Sequence, residues 1–287
     1  MPRPELPMDL PALSTLHSRS RRQNRYVYAV RARRSHGISI GINLDPQKTC
    51  NFDCVYCEVI DRREIEKGAG RPAIAARDVV KELAEELALH RRIAPSYEAD
   101  PVRDISFAGD GEPSTFQGFL PLARALFDVR DAAGFQDVPF VLITNGSGLA
   151  REEMRAAHDL FAERGGAFWI KLDAGTEEFY RTICRTAVPY DRILANLGDA
   201  ARRHPVVVQS MFLRWKGEAP AASEVAAWAG RLQDVVAAGG RISLVQVYTV
   251  ARETMEPGVT ALTVKELEGI AAPLRAAVPG VPVETFG

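Results

Sequence analysis

Three cysteines, Cys50, Cys54 and Cys57, stand within the eight residues 50–57, CNFDCVYC. Their C-x3-C-x2-C spacing fits one short loop wrapped around a cubane iron–sulfur cluster. A [4Fe–4S] cluster is usually held by four thiolates, so three local ligands leave one iron without a protein ligand. An iron that is open in this way suits a small molecule that is activated at the metal.

Closely spaced cysteines also hold structural zinc. Zinc sites typically pair two elements such as C-x2-4-C and H-x3-5-H, and the sequence contains no second pair beside the cysteine loop. The fourth cysteine, Cys184, stands alone, and the histidines are scattered. A Cys3His site that uses His36, in a zinc-binding protein that is not an enzyme, therefore stays open as an alternative.

Length and composition restrict the class of protein. A chain of 287 residues is normal for an α/β barrel that forms one unit, and 46% hydrophobic with 25% charged residues describes a soluble globular protein. No stretch has the apolar length of a membrane span, and prolines and charges occupy the N-terminus where a signal peptide has an apolar core. Four cysteines, three of them crowded together, fit a reducing cytosol better than a disulfide framework. We therefore expect a cytoplasmic protein with no membrane partner.

Charge is concentrated at the N-terminus. Residues 1–35 contain eight arginines against Glu5 and Asp9, whereas the whole chain has a net charge of −1. A basic arm of this kind can contact phosphates, so RNA is one expected partner. The alternative is a solvated, partly irregular leader whose arginines pair with the acidic body. We predict a basic arm over 1–35 and a catalytic barrel over 36–287.

Six stretches typical of β-strands alternate with segments of helical spacing. The strands are predicted at 38–44, 104–108, 139–143, 168–172, 206–213 and 242–250. Strict alternation demands a parallel sheet with helices outside, and right-handed crossovers curl that sheet toward a barrel. A β-like stretch at 26–30 precedes these repeats, and 283–286 is predicted as a final edge strand. The cysteine loop directly follows the first of the six strands, at its C-terminal end.

The aromatic residue before the last cysteine, Tyr56, completes the pattern C-x3-C-x-Φ-C, which resembles the signature of the radical S-adenosylmethionine (SAM) superfamily. The resemblance implies an α/β fold, an open, partial (β/α)6 TIM-like barrel. It also implies a [4Fe–4S] cluster on Cys50, Cys54 and Cys57, with the amino and carboxylate groups of SAM on the open iron. Reductive cleavage of SAM then gives a 5′-deoxyadenosyl radical, which abstracts hydrogen from a substrate. Tyr56 is expected to pack against or bond the adenine.

Polar and glycine residues follow two further strands, where barrel chemistry gathers. Gly109, Gly111 and Glu112 form a G-x-G-E-P turn that resembles the Gly-Gly-Glu element of the superfamily, and the resemblance implies that they hold the methionine end of SAM. Glycines at a strand end also allow a ligand to approach the backbone closely. Thr144 and Asn145 follow the next strand and are expected to help orient SAM. They fit equally well as capping residues of a strand-to-helix turn.

Other side chains at the strand ends are candidates for catalysis or binding. Strand alternation places Lys171 and Asp173 on one face, where they could form an ion pair beside SAM or substrate, or a purely structural bridge. Tyr248, on the sixth strand, is a third candidate. Polar residues inside apolar strands, such as Gln209, indicate a lined cavity. Cys184 is most simply a buried thiol, with hydrogen-atom donation as a minority hypothesis.

Residues 28–255 resemble one branch of the superfamily, the proteins similar to the catalytic domain of tRNA wyosine (4-demethylwyosine) synthase. The wyosine synthases carry a second cluster on cysteines that precede the SAM motif, and this chain has no cysteine before Cys50. Ring-forming wyosine chemistry is therefore not expected. The resemblance leaves a single-cluster enzyme that acts on a small metabolite or peptide, or alternatively on RNA or tRNA. Its expected electron donor is a flavodoxin or ferredoxin.

Overall fold

A computed structural model describes residues 24–32, 37–59, 74–93 and 101–287. Its helices and strands alternate along most of that chain. In chain order they are β1 (Val27–Ala32), β2 (Gly37–Ile42), α1 (Ala76–Ile93), β3 (Val102–Phe107), α2 (Phe119–Ala132), β4 (Phe140–Thr144), α3 (Glu152–Glu163), β5 (Ala167–Lys171), α4 (Glu177–Cys184), α5 (Tyr190–Arg203), β6 (Val206–Met211), β7 (Arg214–Trp215), α6 (Ala222–Ala237), β8 (Ile242–Tyr248), β9 (Val259–Thr260), α7 (Val264–Ala277) and β10 (Val283–Phe286).

Eight strands form a single sheet in the order β1-β2-β3-β4-β5-β6-β8-β10. From β2 onward all neighbours are parallel, as strand–helix–strand crossovers require. The predicted fold class, an open partial barrel with a parallel sheet and helices outside, is confirmed. The stretch predicted at 283–286 is the strand β10, which extends the six predicted strands by pairing with β8.

Two features of the sheet concern the N-terminal region. Strand β1 pairs antiparallel with β2, with Val27 opposite Ile42, and it lies on the arm side of the boundary predicted at residue 35. That domain boundary stays a prediction. Residues 1–23 and 33–36, which contain most arginines of the arm as well as His36, lie outside the described residues.

The sequence analysis did not predict the two-stranded ribbon of β7 and β9. Arg214 pairs with Thr260 and Trp215 with Val259 in antiparallel fashion. Each strand has only two residues, too few to show an alternating pattern. The ribbon nevertheless fixes the chain that leaves β8, because Lys216 N–H donates to the carbonyl oxygen of Gly258 at 2.7 Å.

Side chains alternate along the strands between two buried regions, one between the sheet and the helices and one inside the barrel. On β3, Ile105 and Phe107 face the helices and are fully buried, whereas Asp104 and Ser106 line the inside of the barrel. Behind the sheet, phenylalanines from strands and helices pack ring against ring, with Phe107 and Phe140 at a centroid distance of 5.6 Å. The hydrophobic core therefore lies between sheet and helices. No helix in the described part of the chain combines the length and apolar character needed to cross a membrane.

Candidate active site

The concave side of the sheet encloses a cavity of about 610 Å³, a size typical of ligand sites. Every residue that the sequence analysis named for the site lines this cavity. They are Cys50, Cys54, Tyr56, Cys57, Gly109, Gly111, Glu112, Thr144, Asn145, Lys171, Asp173, Cys184 and Tyr248. Residues from five strand ends and the end of α4 are thus brought together although up to about 200 positions separate them, as the C-terminal rim of a barrel does.

Backbone hydrogen bonds hold the cysteine loop on both sides. Asp53 N–H donates to the carbonyl oxygen of Cys184 at 3.1 Å, and Val55 N–H donates to that of Ile183 at 2.9 Å. On the other side, Met255 N–H donates to the carbonyl oxygen of Cys57 at 3.3 Å. The loop is therefore fixed between the end of α4 and the segment that follows β8.

The donor set of the loop fits a cubane. All four cysteines are reduced thiols, and the three of the loop face one cavity. A cubane takes one thiolate per iron, so its ligands stand apart instead of converging on one point. Among the described residues, no three His, Cys, Asp or Glu side chains are grouped as they would be around a single metal ion. The zinc alternative depended on His36, which is not among them.

Cys184 is buried, as the sequence analysis expected, and its thiol contacts that of Cys54. This hydrogen bond lowers the pKa of Cys54, against the effect of burial, which raises it. The same contact, together with burial, raises the pKa of Cys184 well above its ordinary value.

Two asparagines join the cysteine loop to the end of β4. Asn145 donates from Nδ2 to Asn51 Oδ1 at 3.0 Å, and Asn51 donates in turn to Ser147 Oγ at 2.8 Å. Ser147 N–H completes the ring by donating to Asn145 Oδ1 at 2.9 Å. Asn145 therefore lines the cavity and also organises the turn after β4, while its role in orienting SAM stays a prediction.

Glu112 lies at the centre of the contact between the ends of β3 and β4. Its carboxylate accepts from Ser114 N–H at 2.9 Å, from the Thr144 hydroxyl at 2.5 Å and from Asn145 N–H at 2.7 Å. Burial raises the pKa of Glu112, and these donors oppose the rise. The sequence analysis assigned Glu112 to SAM. In the structure, both of its carboxylate oxygens accept from protein groups and Glu112 lines the cavity, while its contact with SAM stays a prediction.

The two glycines of the G-x-G-E-P turn make room for side chains of the chain itself. A Cβ at Gly109 would collide with Asn43, and a Cβ at Gly111 would collide with Asp45. Asn43, buried at the end of β2, donates from Nδ2 to Asp110 Oδ2 at 2.9 Å. The sequence analysis missed this role of Asn43, although a polar residue directly after an alternating apolar strand was a usable signal.

A polar network lies on the opposite wall. The Tyr56 hydroxyl donates to Asp173 Oδ2 at 2.5 Å, and Met211 N–H donates to Asp173 Oδ1 at 2.7 Å. Lys171 Nζ lies 3.2 Å from Asp173 Oδ1 and donates to the Tyr248 hydroxyl at 2.7 Å. The ion pair predicted for Lys171 and Asp173 is present, and it faces the cavity.

The protonation states of this network follow from its contacts. Burial lowers the pKa of Lys171, but the charge of Asp173 and the contact with Tyr248 outweigh it and leave that pKa raised. Burial, reinforced by the charge of Asp173, raises the pKa of Tyr56 well above its usual range. Near neutral pH the wall therefore presents an ammonium group and a protonated phenol.

Two ion pairs tie the segment after β8 to the cysteine loop and to α4, and the sequence analysis missed both. Arg252 Nη1 lies 3.0 Å from Glu58 Oε2. Arg185 Nη1 lies 2.6 Å from Glu256 Oε1 and 3.9 Å from Asp53 Oδ2. These contacts join parts of the chain that are far apart in sequence, which a local pattern does not reveal.

Two curated relatives match parts of the chain. A protein named GTPase Obg, from Brachyspira hyodysenteriae, is 29% identical over 168 residues, which are 58% of this chain and 22% of the relative. A UPF0026 protein of Methanocaldococcus jannaschii is 31% identical over 156 residues, which are 52% of this chain and 40% of the relative. The chain thus spans less than half the length of either relative.

Solved structures with a similar fold cover more of the chain. A radical SAM methyltransferase from Sphaerobacter thermophilus superposes with a TM-score of 0.62 at 13% identity, covering 91% of this chain and 68% of its own. Streptococcus suis SuiB bound to S-adenosylmethionine gives a TM-score of 0.56 at 11% identity, covering 88% and 51%. TYW1 with a lysine–pyruvate adduct gives 0.50 at 15% identity, covering 84% and 74%.

At these identities the likeness shows the fold, which this chain shares with TYW1. The sequence itself carries the assignment to a family. The model of the radical SAM superfamily matches residues 44–218, which include the whole cysteine loop and strands β3 to β6. The chain therefore belongs to the radical SAM superfamily.

Proposed function

We propose that this radical SAM enzyme binds one [4Fe–4S] cluster through Cys50, Cys54 and Cys57, and SAM beside it. Once bound, the two supply a 5′-deoxyadenosyl radical, which abstracts hydrogen from a small metabolite or a peptide. The observation that carries the proposal is the cysteine loop itself. Three reduced thiols lie on one loop that backbone hydrogen bonds hold on both sides. They face the same cavity as every other predicted site residue.

Residues of the chain itself orient the cysteine loop and enclose the cavity. Asn51 and Asn145 hold the cysteine loop against the end of β4, and Tyr56 holds it against β5. A cavity enclosed by a sheet on one side keeps water away from a reactive intermediate. Gly109 and Gly111, with Thr144 and Asn145 beside them, form the rim where we place the methionine part of SAM.

Lys171 acts in this proposal as a hydrogen-bond donor. In TYW1 a lysine carries a pyruvate adduct, and such an adduct requires a neutral amine. Here Asp173 lies 3.2 Å from Lys171 Nζ, and the Tyr248 hydroxyl accepts from it at 2.7 Å. Both contacts favour the ammonium form, whose nitrogen has no lone pair to attack a carbonyl. Lys171 is therefore suited to bind an anionic group of SAM or substrate.

The partners follow from the chemistry. Cleavage of SAM consumes an electron, so we propose a flavodoxin or ferredoxin as the donor, in a reducing cytoplasm that keeps the thiols available. The RNA alternative depends on the arginine-rich arm over 1–35, and most of those arginines lie outside the described residues. No observation on the described residues favours it, and a small metabolite or peptide remains our proposal.

Anaerobic reconstitution with iron and sulfide tests the cluster. The wild-type protein should bind about four irons per chain and show the broad visible absorption of an iron–sulfur protein. Cys54→Ala should lose the cluster and the reductive cleavage of SAM to 5′-deoxyadenosine. A colourless protein that holds zinc at this loop would overturn the proposal.

Cys184→Ser is the matched variant, because Cys184 is the one other thiol near the loop. If three loop cysteines suffice, this variant should still assemble about four irons per chain. Loss of the cluster in Cys184→Ser would mean that four cysteines cap all four irons. In that case no iron would be open to SAM.

A further inference from the structure

The inside of the barrel is unusually empty along two strands. The residues that line the cavity from β2, β3 and the end of β3 have short side chains: Ser39, Gly41, Asp104, Ser106 and Ala108. The lumen of a closed (β/α)8 barrel is normally filled by bulky branched side chains. Trp169, on β5, lines the same cavity.

Trp169 is half-buried and lines the cavity. Among the described residues no aromatic ring stacks on its indole, and its N–H has no acceptor. Trp residues in cores usually satisfy that N–H. A flat, hydrophobic surface with an unused donor thus faces the empty part of the lumen.

Lys171 follows two residues later on the same face of β5, roughly 6.6 Å further along the strand. Its ammonium has three donors. The Tyr248 hydroxyl and Asp173 use two of them, and no other acceptor meets Lys171 in the described part of the chain. The Nζ also lies 5.0 Å from the centre of the Tyr56 ring. One charged donor therefore remains for a ligand.

Gln209 stands beside Lys171, in register with it across β5 and β6. Its Nε2 donates to Gln246 Oε1 at 2.8 Å, whereas its own Oε1 has no partner. Gln209 is fully buried and lines the cavity. A buried carbonyl oxygen without a donor is costly, and a ligand that brings an N–H or O–H group would satisfy it.

We propose that Trp169, Lys171 and Gln209 form the substrate subsite of this enzyme. Its ligand is a small acid with a planar ring, and with a hydroxyl or amino group next to the carboxylate. The ring stacks on Trp169, the carboxylate binds Lys171, and the neighbouring hydroxyl or amine donates to Gln209. This subsite specifies the substrate class of the proposed enzyme. The reaction of the ligand there rests on the proposed function, whereas its binding does not.

Isothermal titration under anaerobic conditions tests the subsite with 3-phenyllactate, on reconstituted protein saturated with SAM and without reductant. Three analogues each remove one feature: phenyllactamide lacks the charge, 3-phenylpropanoate lacks the hydroxyl, and 3-cyclohexyllactate lacks the flat ring. We expect phenyllactate to bind about tenfold tighter than each analogue, because each removes one specific contact.

Variants assign each preference to its residue. Lys171→Met should abolish the preference for the acid over the amide, and Lys171→Arg should keep it, which separates charge from folding. Gln209→Leu should abolish the preference for the hydroxyl, and Trp169→Leu the preference for the flat ring. Lys216→Met and Trp215→Phe, which alter residues outside the cavity, should retain all three preferences.

Two results would overturn the subsite. One is equal binding of all four compounds, or unchanged preferences in Lys171→Met, Gln209→Leu and Trp169→Leu. The other is competition with SAM, which would show that SAM itself occupies the lumen. Titration of the cluster-free protein keeps the two proposals separate: if the cluster fails to assemble but the preferences persist, the subsite stands and the radical chemistry does not.

Discussion

The hydroxyl of Tyr56 donates a hydrogen bond to Asp173 Oδ2 at 2.5 Å. This bond joins the last turn of the cysteine loop to the residues that follow β5. The Tyr56 ring lies at the same time 5.0 Å from Lys171 Nζ, within the range of a cation–π contact. The aromatic position of the cysteine motif therefore connects the loop to the charged wall of the cavity.

Replacing Tyr56 with phenylalanine should measure the strength of that connection. Tyr56→Phe keeps the ring but removes a buried hydrogen bond to a carboxylate, and hydrogen bonds to charged groups contribute about 1.5–3 kcal/mol. We expect the free energy of unfolding of the cluster-free protein to fall by that amount. Urea unfolding followed by circular dichroism measures it.

Tyr28→Phe provides the control. The Tyr28 hydroxyl also lines the cavity but donates to a neutral group, the carbonyl oxygen of Ala108 at 3.2 Å, so its loss should cost only about 0.5–1.5 kcal/mol. If Tyr56→Phe cost no more than Tyr28→Phe, the bond to Asp173 would not be a charged one.

Gly109 and Gly111 offer a second prediction. Alanine at either position would drive its Cβ into Asn43 or Asp45, and overpacking of this kind costs about 1–3 kcal/mol. Gly109→Ala and Gly111→Ala should therefore lower the midpoint of urea unfolding of the cluster-free protein.

Gly230→Ala is the matched control for the two glycine variants. Gly230 lies inside α6, and nothing stands within 4 Å of the position of its Cβ. Alanine there should stabilise the protein by about 0.5–1 kcal/mol, the helix preference of alanine over glycine. If Gly109→Ala were as stable as wild type, the turn would make no tight contact with Asn43.

The fold could be read from the sequence because its signals are local. Strand β3 shows its two faces in four residues, with Asp104 and Ser106 alternating with Ile105 and Phe107. The ribbon of Trp215 with Val259 could not be read, because two-residue strands carry no period.

The site was predictable to the same extent. The cysteine spacing and the strand ends brought all named residues to one cavity. The bond from Asn51 to Ser147 was not predictable, because 96 residues separate its partners and only the folded sheet joins them. The same holds for the hydrogen bond from Thr144 to Glu112, whose partners are 32 residues apart. Which partner a polar side chain takes depends on packing that no local pattern records.

The pH dependence of the free energy of unfolding should show the effect of protonating His158. This residue on α3 is buried against Phe168, with ring centroids 4.2 Å apart. Burial, and next the neighbouring His204, lowers the pKa of His158 from 6.5 to about 4. Between these values the unfolded chain binds a proton that the folded protein does not. The contribution of His158 to the free energy of unfolding is therefore fully present above pH 6.5. It is lost, by up to about 3 kcal/mol, as the pH drops to about 4.

His158→Gln should flatten this part of the pH profile, because glutamine does not titrate. Urea midpoints measured at intervals from pH 4 to 7 give the comparison. An unchanged slope in His158→Gln would mean that other groups cause the acid sensitivity.

Arg185 gives the last prediction, because it combines an ion pair with an unusual backbone. It caps α4 in the left-handed region, with φ 46° and ψ 59°, where glycine is the preferred residue. Its Nη1 lies 2.6 Å from Glu256 Oε1, and the pair is half exposed, so it contributes at most about 1 kcal/mol. Arg185→Met should lose that contribution and keep the backbone cost.

Arg185→Gly loses the same ion pair but removes the steric cost of the left-handed conformation, about 1 kcal/mol. We therefore expect Arg185→Gly to be more stable than Arg185→Met by about that amount in urea unfolding, although both lack the contact with Glu256. Arg181→Met, which breaks an exposed pair on the same helix, should change stability by less than about 0.5 kcal/mol. Arg185→Gly no more stable than Arg185→Met would show that the end of α4 bears no left-handed strain.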